Sequence, residues 1–200
     1  MSLPLHIRRV CFHSKRTDTS FPSGSSGVAS RQSVPHALRT DRQAGETAFP
    51  MPRIALLTRY DTQGASSRVR TLQYLPVLHQ AGIETEHFPL FDNDYLKRMY
   101  GGQSINLQRL QLLARRILKM PSITGSGRFD LLWIEKELLP YLPFGLEKWL
   151  LDNGVPYVLD FDDAIFHNYD QSGNPLVRRL LGHKIDRLMA GARLVMCGNG

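Results

Sequence analysis

The chain has 200 residues, of which 42% are hydrophobic and 22% charged, as in an ordinary globular protein with a buried core. Its net charge of +7 falls mostly at the N-terminus, since residues 1–50 carry seven Lys and Arg against three Asp and Glu. The rest is nearly balanced and lacks the concentrated basic face of a nucleic-acid-binding protein, so no nucleic-acid partner is expected.

The two cysteines, Cys11 and Cys197, lie far apart in the sequence. They form neither a disulfide framework nor a zinc motif, which favours a reducing, cytoplasmic location. The N-terminus has Arg8 and Arg9 but no apolar stretch after them, so a secretory signal is not expected. No apolar run approaches the roughly 20 residues of a membrane-spanning helix.

Residues 1–50 are predicted to be a disordered leader. Ser, Thr, Gly and Pro are abundant there and paired apolar positions are scarce, so burial cannot offset the entropy of ordering the chain. Met51 opens a different kind of sequence, and a mis-assigned start upstream of it is an alternative interpretation of the leader. The Arg- and Ser-rich, acid-poor composition also resembles an organellar transit peptide.

From residue 51 onward, short apolar runs alternate with helical patterns. Strands are predicted at 54–58, 84–90, 129–134, 156–159 and 193–197. Helices are predicted at 66–80, 107–119, 144–153 and 175–190. This alternation predicts an α/β domain over residues 51–200, with a Rossmann-like, doubly wound parallel sheet. The chain stops where such a domain normally continues, so a truncation is expected.

Ligands of doubly wound sheets bind at the carboxyl ends of the strands, which draws attention to the loop TRYDTQGASSRVR at 58–70. Its candidate substrate-binding residues are Gly64, Ser66, Ser67, Arg68 and Arg70. The glycine allows close approach of a ligand, either serine is expected to cap the next helix, and the arginines favour an anion. The alternative is a plain turn whose arginines face solvent. The phosphate-binding glycine patterns G-x-G-x-x-G and GK[ST] are absent.

A second loop, LDFDDA, places Asp160, Asp162 and Asp163 directly after an apolar strand. Close carboxylates raise one another's pKa and need water, a cation or an arginine. Asp160-Phe-Asp162 resembles the Asp-x-Asp that holds a divalent metal in some sugar-nucleotide enzymes. A phosphatase nucleophile loop is disfavoured, because only 37 residues follow Asp163 and the later pair of acids that such an enzyme needs is not among them. A structural alternative has one aspartate as a cap and another paired with an arginine.

Two further features are weaker. Glu135 and Glu137 follow a predicted strand, so that Glu135 is a candidate to enter the cleft, while a solvated helix start is the alternative. The stretch 107–119 carries a leucine stripe beside four cations, which are Arg109, Arg115, Arg116 and Lys119. Most such helices pack on a sheet, and a shallow contact with anionic lipid at the inner face of the membrane is the other interpretation.

Four segments in order resemble the N-terminal domain of family 4 glycosyltransferases of the GT-B fold, of the polysaccharide-assembly type. They are PRIALLTRYDTQGASSRVRTLQYLPVLHQAGIE, FDLLWIEKELLPY, GVPYVLDFDDAIF and ARLVMCGN, and together they span about residues 52–200. The resemblance implies a hexosyltransferase type of activity, in which a sugar moves from a nucleotide-diphosphate sugar to a saccharide or lipid-linked acceptor. It implies no obligatory metal and no further cofactor.

In that fold the N-terminal domain holds the acceptor, and a C-terminal domain that is absent here grips the donor, so this chain alone is expected to be inactive. Many members carry a His-Asp pair after the strand that corresponds to 156–159. The matching positions are Asp162 and Asp163, which become the candidate catalytic residues. An inactive fragment or non-enzymatic binding domain, and a metal-dependent Asp-x-Asp enzyme, are the alternatives.

Overall fold

The structure is a computed structural model that describes residues 9–11, 51–125 and 127–198. Its strands are β1 (Arg9–Cys11), β2 (Arg53–Leu57), β3 (Glu84–His87), β4 (Leu131–Glu135), β5 (Tyr157–Phe161) and β6 (Leu194–Cys197). Its helices are α1 (Ala65–Arg70), α2 (Leu75–Gln80), α3 (Asn93–Tyr100), α4 (Asn106–Thr124), α5 (Phe144–Leu151), α6 (His167–Asp170), α7 (Pro175–Leu181) and α8 (Lys184–Gly191). A short 3-10 turn, Leu72–Tyr74, joins α1 to α2.

The strands form one parallel sheet in the order β1-β6-β5-β4-β2-β3. The predicted α/β class with a parallel sheet flanked by helices is therefore confirmed. From β2 onward the chain first adds β3 on one side and then crosses to the other side for β4, β5 and β6. This reversal places a topological switch point between β2 and β4.

The central strands are buried because helices cover the sheet. All residues of β5 are buried, and so are Leu132 and Ile134 of β4. Such continuous apolar runs are typical of parallel strands that are covered on both faces. Helices α4, α5 and α8 contact one another in that order. The connection from β2 to β3, which contains α1 and α2, runs along the sheet in the opposite direction to the connections that contain α4, α5 and α8. Because crossover connections are right-handed, α1 and α2 cover the opposite face of the sheet.

Two of the predicted helices are interrupted in the structure. The stretch predicted as one helix at 66–80 breaks at Thr71, and Pro76 lies in the first turn of α2, where its missing N–H costs no hydrogen bond. The stretch predicted at 175–190 divides at Gly182 into α7 and α8. A Cβ at this position would lie 2.4 Å from the carbonyl oxygen of Arg178, so the end of α7 requires glycine.

The fourth helix extends further than predicted. Pro121 lies inside the last turn of α4, where the prediction had placed the end of the helix. The helix continues through that turn, and Gly125 N–H donates to the Pro121 carbonyl at 2.9 Å. Helix α3 was not predicted; the Asp92 side chain caps it by accepting a hydrogen bond from Tyr95 N–H at 2.8 Å.

Within the predicted disordered leader, residues 9–11 form β1, which pairs in parallel with β6 at one edge of the sheet. The rest of the predicted leader, including the alternative start, lies outside the described residues. In the part of the chain that the structure describes, no helix is long and apolar enough to cross a membrane.

Candidate functional site

The carboxyl ends of β2 and β4 meet at the switch point, where Glu135 organises the loop after β2. Glu135 is only 2% exposed. Its carboxylate accepts hydrogen bonds from the Ser66 hydroxyl at 2.9 Å and the Ser67 hydroxyl at 2.5 Å. It also accepts one from Arg59 N–H at 3.0 Å. The structure thus brings together three predicted substrate-binding residues, but their polar atoms are directed at one another and hold α1 against β4.

The helix-capping prediction for Ser66 and Ser67 is wrong. Both serines lie inside α1, and the N-cap is Gly64, which makes no side-chain cap. Gly64 is buried, and a Cβ there would lie 2.3 Å from the Tyr60 Cβ. Glycine is therefore required at this position by the close packing of the loop on Tyr60.

The two predicted anion-binding arginines have different environments. Arg68 is exposed, and its side chain has no hydrogen-bond or ion-pair partner among the described residues. Arg70 forms an ion pair with Asp160 and donates to the Phe161 carbonyl at 3.1 Å. Burial raises the pKa of Asp160, and the charge of Arg70 opposes that rise. Arg70 therefore neutralises Asp160, which leaves Arg68 as the free cation of this pair of arginines.

The other two aspartates of the loop share a lysine, and we call Lys136, Asp162 and Asp163 the open cluster. Lys136 Nζ lies 2.8 Å from Asp162 Oδ1 and donates to Asp163 Oδ2 at 3.0 Å. The side chain of Asp163 is 59% exposed and that of Asp162 is 28% exposed. Although burial of Asp162 opposes its ionisation, the neighbouring Lys136 lowers the pKa of Asp162 below its usual value.

The backbone at Lys136 has an uncommon conformation. Its φ of 66° lies in the left-handed region, and Glu137 N–H donates to the Glu135 carbonyl at 2.9 Å, which closes a tight three-residue turn. Lys136 N–H in turn donates to the Asp160 carbonyl at 2.9 Å. Left-handed non-glycine residues are often found at functional sites, where the surrounding structure must hold them in place. As a result, Glu135 binds the serines of α1, Lys136 meets Asp162 and Asp163, and Glu137 pairs with Lys184 in the core.

Next to the open cluster lies a cleft of about 360 Å³ at the carboxyl ends of β5 and β6. Asp162 and Asp163 contribute to its wall. The remaining side chains are mostly apolar and include Phe166, Ile185 and Met189. An apolar cleft of several hundred Å³ with a few convergent polar groups has the usual composition of a small-molecule site.

A second charged group, which we call the buried cluster, follows on the core side of the same turn and consists of Glu137, Glu147, Lys184 and Tyr169. Lys184 Nζ donates to Glu137 Oε2 at 2.7 Å and lies 3.1 Å from Glu147 Oε1. The Tyr169 hydroxyl donates to Glu137 at 2.8 Å. All four residues are less than a tenth exposed. Burial raises the pKa of Glu147 to about 7, against the effect of Lys184.

Sequence reasoning missed Lys136 and the apolar wall of the cleft beside the open cluster. The sequence did carry a signal for Lys136, which directly follows the buried strand β4 and lies between the candidates Glu135 and Glu137. Phe166 and Met189 carried no such signal, because only the folding of α6 and α8 against β5 brings them near the aspartates.

The amphipathic stretch at 107–119 forms most of α4, and its side chains point in different directions. Leu113 and Met120 are buried, while Leu107, Leu110 and Leu118 are 64–80% exposed. Arg116 is buried, whereas Arg115 and Lys119 are exposed. The helix therefore packs on the sheet as expected and also presents leucines to solvent.

Comparison with models of protein families and with curated proteins finds no match to this chain.

Proposed function

We propose that this chain is the acceptor-side half of a GT-B glycosyltransferase, which transfers a sugar from a nucleotide-diphosphate sugar to a saccharide or lipid-linked acceptor. The observation that carries the proposal is the cleft beside the open cluster, which we call the acceptor cleft. It combines apolar walls with Asp162 and Asp163 at the carboxyl ends of the strands. The resemblance of four ordered segments to family 4 glycosyltransferases supports the same function. The donor-binding half belongs to the proposal and lies outside this chain.

The wall of the cleft fits a saccharide by its chemistry. Phe166 is 38% exposed, so its ring can contact the apolar C–H face of a sugar. Carboxylates accept hydrogen bonds from sugar hydroxyls, and charge-assisted bonds of this kind are stronger than neutral ones. Asp162 and Asp163 would therefore orient an acceptor hydroxyl above an apolar floor.

Lys136 determines what Asp162 can do chemically. Because Lys136 lowers the pKa of Asp162, this carboxylate stays ionised at neutral pH and is not suited to donate a proton. An ionised carboxylate stabilises the positive charge that develops on the transferred sugar ring in the transition state. Asp163, with its exposed side chain, is the better placed of the two to receive the proton of the acceptor hydroxyl.

Arg68 is the residue proposed to contact the donor. Its exposed guanidinium has no partner among the residues that the structure describes, and it stands on α1 at the switch point. As the donor bond breaks, negative charge develops on the leaving diphosphate, and a guanidinium matches that charge and geometry. Arg70 is not assigned this role, since Asp160 already neutralises it.

The same ion pairs weigh against a metal-dependent Asp-x-Asp enzyme. Such a site needs Asp160 and Asp162 to direct their oxygens at one cation. Here Arg70 holds Asp160 and Lys136 holds Asp162, so the two carboxylates have separate protein partners. Calorimetric titration with Mn²⁺ tests this alternative, because tight binding that is lost in Asp162→Asn would support a metal site.

A transfer assay tests the proposed activity. The DNA beyond codon 200 should encode a donor-binding domain, and the chain joined to that domain should transfer sugar from at least one nucleotide-diphosphate sugar. Asp162→Asn and Asp163→Asn should each lower turnover by about 10²-fold or more, the usual scale for a catalytic side chain. Asp152→Asn is the matched control, since it also removes an aspartate that is paired with a lysine.

Two results would contradict this function. Retained turnover in both variants with an intact fold would remove Asp162 and Asp163 from the mechanism. Saccharide binding without transfer, by a chain that is followed by no donor domain, would favour a non-enzymatic binding domain.

A peripheral membrane contact is part of the proposal, since a lipid-linked acceptor is anchored in a membrane. Leu107, Leu110 and Leu118 form an exposed stripe on α4 with Arg115 and Lys119 beside it. Flotation with anionic vesicles should recover the chain, and the triple change of these leucines to Gln should abolish recovery. Equal recovery of both proteins would contradict the contact.

A further inference from the structure

A second cavity lies between α4 and the segment that follows β3. It has a volume of about 150 Å³, and its charged lining consists of His87, Asp92, Arg115, Arg116 and Lys119. It shares no lining residue with the acceptor cleft. Its volume is below the roughly 300 Å³ at which pockets enclose whole small molecules, so it suits one charged group of a larger ligand.

Arg116 is the central cation of this cavity. It is 6% exposed, and its Nη2 donates to the Thr58 carbonyl at 3.2 Å and to the Phe88 carbonyl at 2.8 Å. These acceptors fix the guanidinium but carry no net charge. Among the described residues, no carboxylate lies within ion-pair distance of Arg116, and its Nε and Nη1 have no protein acceptor. Burial accordingly lowers the pKa of Arg116 to about 9.

Two exposed cations stand next to Arg116 on the same helix. Arg115 and Lys119 line the cavity and are not in an ion pair with any described residue. The carboxylate in the lining, Asp92, is engaged in capping α3 through Tyr95 N–H. His87 Nε2 lies 2.7 Å from the Thr58 hydroxyl, and burial lowers the pKa of His87. Positive charge therefore exceeds negative charge around the cavity.

We propose that this cavity binds a phosphate group, either of a soluble phosphorylated ligand or of a phospholipid headgroup. A buried guanidinium without a counter-ion is costly, and a bound anion offsets that cost. Arginine presents its N–H groups in a planar fork that matches two oxygens of a phosphate, while lysine adds a point charge. The proposal does not depend on sugar transfer, since the two cavities are lined by different residues. Arg115 and Lys119 also flank the leucine stripe of α4, so displacement by inorganic phosphate is what separates binding in the cavity from contact of the stripe with lipid.

Titration of the ¹⁵N-labelled full chain with inorganic phosphate, at constant ionic strength, tests the site. Phosphate should shift the amide signals of residues 87–92 and 112–119. The double variant Arg115→Gln/Lys119→Gln should bind phosphate at least about 10-fold more weakly, since it loses two charged hydrogen-bond donors of the cavity. Arg179→Gln/Arg193→Gln, which removes the same charge from exposed positions elsewhere, should bind like the parent chain.

Arg116 requires a milder change because its side chain is buried. Arg116→Lys keeps the charge but loses the fork, and it should weaken phosphate binding about 10-fold or more while the remaining amide spectrum reports an intact fold. Equal phosphate affinity in the parent chain and the Arg115→Gln/Lys119→Gln variant would overturn the proposal, as would amide shifts confined to other parts of the chain.

Vesicles distinguish the two sources of the phosphate. Binding to phosphatidic acid vesicles that inorganic phosphate displaces, and that the double variant loses, assigns the site to a lipid headgroup. Binding of inorganic phosphate without retention on these vesicles assigns it to a soluble ligand. If the chain binds neither inorganic phosphate nor the vesicles, the proposal is overturned. It is also overturned if inorganic phosphate does not bind and the double variant still binds the vesicles.

Discussion

Two charged clusters follow β4 within two residues of each other, yet they have opposite environments. In the buried cluster, Lys184 lies between Glu137 and Glu147 and is itself fully enclosed. In the open cluster, Lys136 meets Asp162 and Asp163, whose side chains reach solvent beside the acceptor cleft. The left-handed turn at Lys136 separates the two groups.

This difference bears on function. Glu137 and Glu147 are enclosed and share Lys184, and Arg59 lies 3.8 Å from Glu137, so these charges are engaged with one another and the buried cluster serves the fold. Charges at the edge of a cleft retain free lone pairs, so the open cluster is available to a substrate. The same residue types therefore stabilise the protein in one place and are proposed to act on a ligand in the other.

The largest expected effect comes from Lys184→Met. The substitution leaves Glu137 and Glu147 buried without their nearest cation, which should lower the free energy of unfolding by about 3–5 kcal/mol. Urea denaturation measures the change. Lys148→Met, which breaks an exposed pair with Asp152, is the control and should change stability by less than about 1 kcal/mol. Similar values for the two variants would show that the buried cluster does not anchor the fold.

The pH dependence of stability should identify Glu147. Burial raises the pKa of Glu147 to about 7 from an ordinary value of 4.5, so between these values the folded chain binds more protons than the unfolded chain. Stability must then fall as pH rises through this window, by about 3 kcal/mol in total at about 1.4 kcal/mol per pKa unit. Glu147→Gln lacks this contribution.

Urea denaturation at several pH values compares the two proteins. The free energy of unfolding of the parent chain should fall relative to that of Glu147→Gln as the pH rises from 4.5 to 7. Parallel stability profiles across that window would mean that Glu147 does not titrate there.

A smaller effect on stability is expected at the open cluster. Asp163→Asn should change the free energy of unfolding by less than about 1 kcal/mol, because the carboxylate is mostly exposed and its ion pair is screened by water. Thermal or urea denaturation checks this value against Lys184→Met. A loss of several kcal/mol would place Asp163 among the structural charges and end the contrast between the clusters.

The finest test concerns the partner of Asp162. Lys136→Met removes the cation that lowers the pKa of Asp162, so this pKa should rise. The carboxyl ¹³C chemical shift of Asp162, followed against pH, reports the change, and Lys148→Met should leave it unaltered. An unchanged titration of Asp162 in Lys136→Met would show that Lys136 does not control its ionisation.

The parallel sheet was predictable because each strand carries its own local signal. The apolar runs of β2, β4, β5 and β6 alternate with helical patterns, and that alternation determines the class of the sheet. The break at Gly182 was less visible, since a glycine inside a helical pattern is often tolerated.

Part of the site was predictable for the same reason. Asp162 and Asp163 follow a fully buried strand, so they had to lie at its carboxyl end. The partners of the charges were not predictable. Lys184 is 47 residues from Glu137, and Arg70 is 90 residues from Asp160, so only the packed fold brings them together. Glu135 illustrates the consequence, because a glutamate at a strand end is equally compatible with a ligand and with the two serines of α1 that it binds.

Saccharide binding tests the proposed role of the open cluster most directly. ¹⁵N-labelled chain titrated with mono- and disaccharides and with lipid-linked saccharides should show amide shifts at residues 161–166 and 185–189. Asp162→Asn and Asp163→Asn should each weaken this binding by about 10-fold with the fold intact, while Asp152→Asn should not. Saccharide binding of unchanged affinity in both variants would contradict the assignment of the open cluster to the substrate.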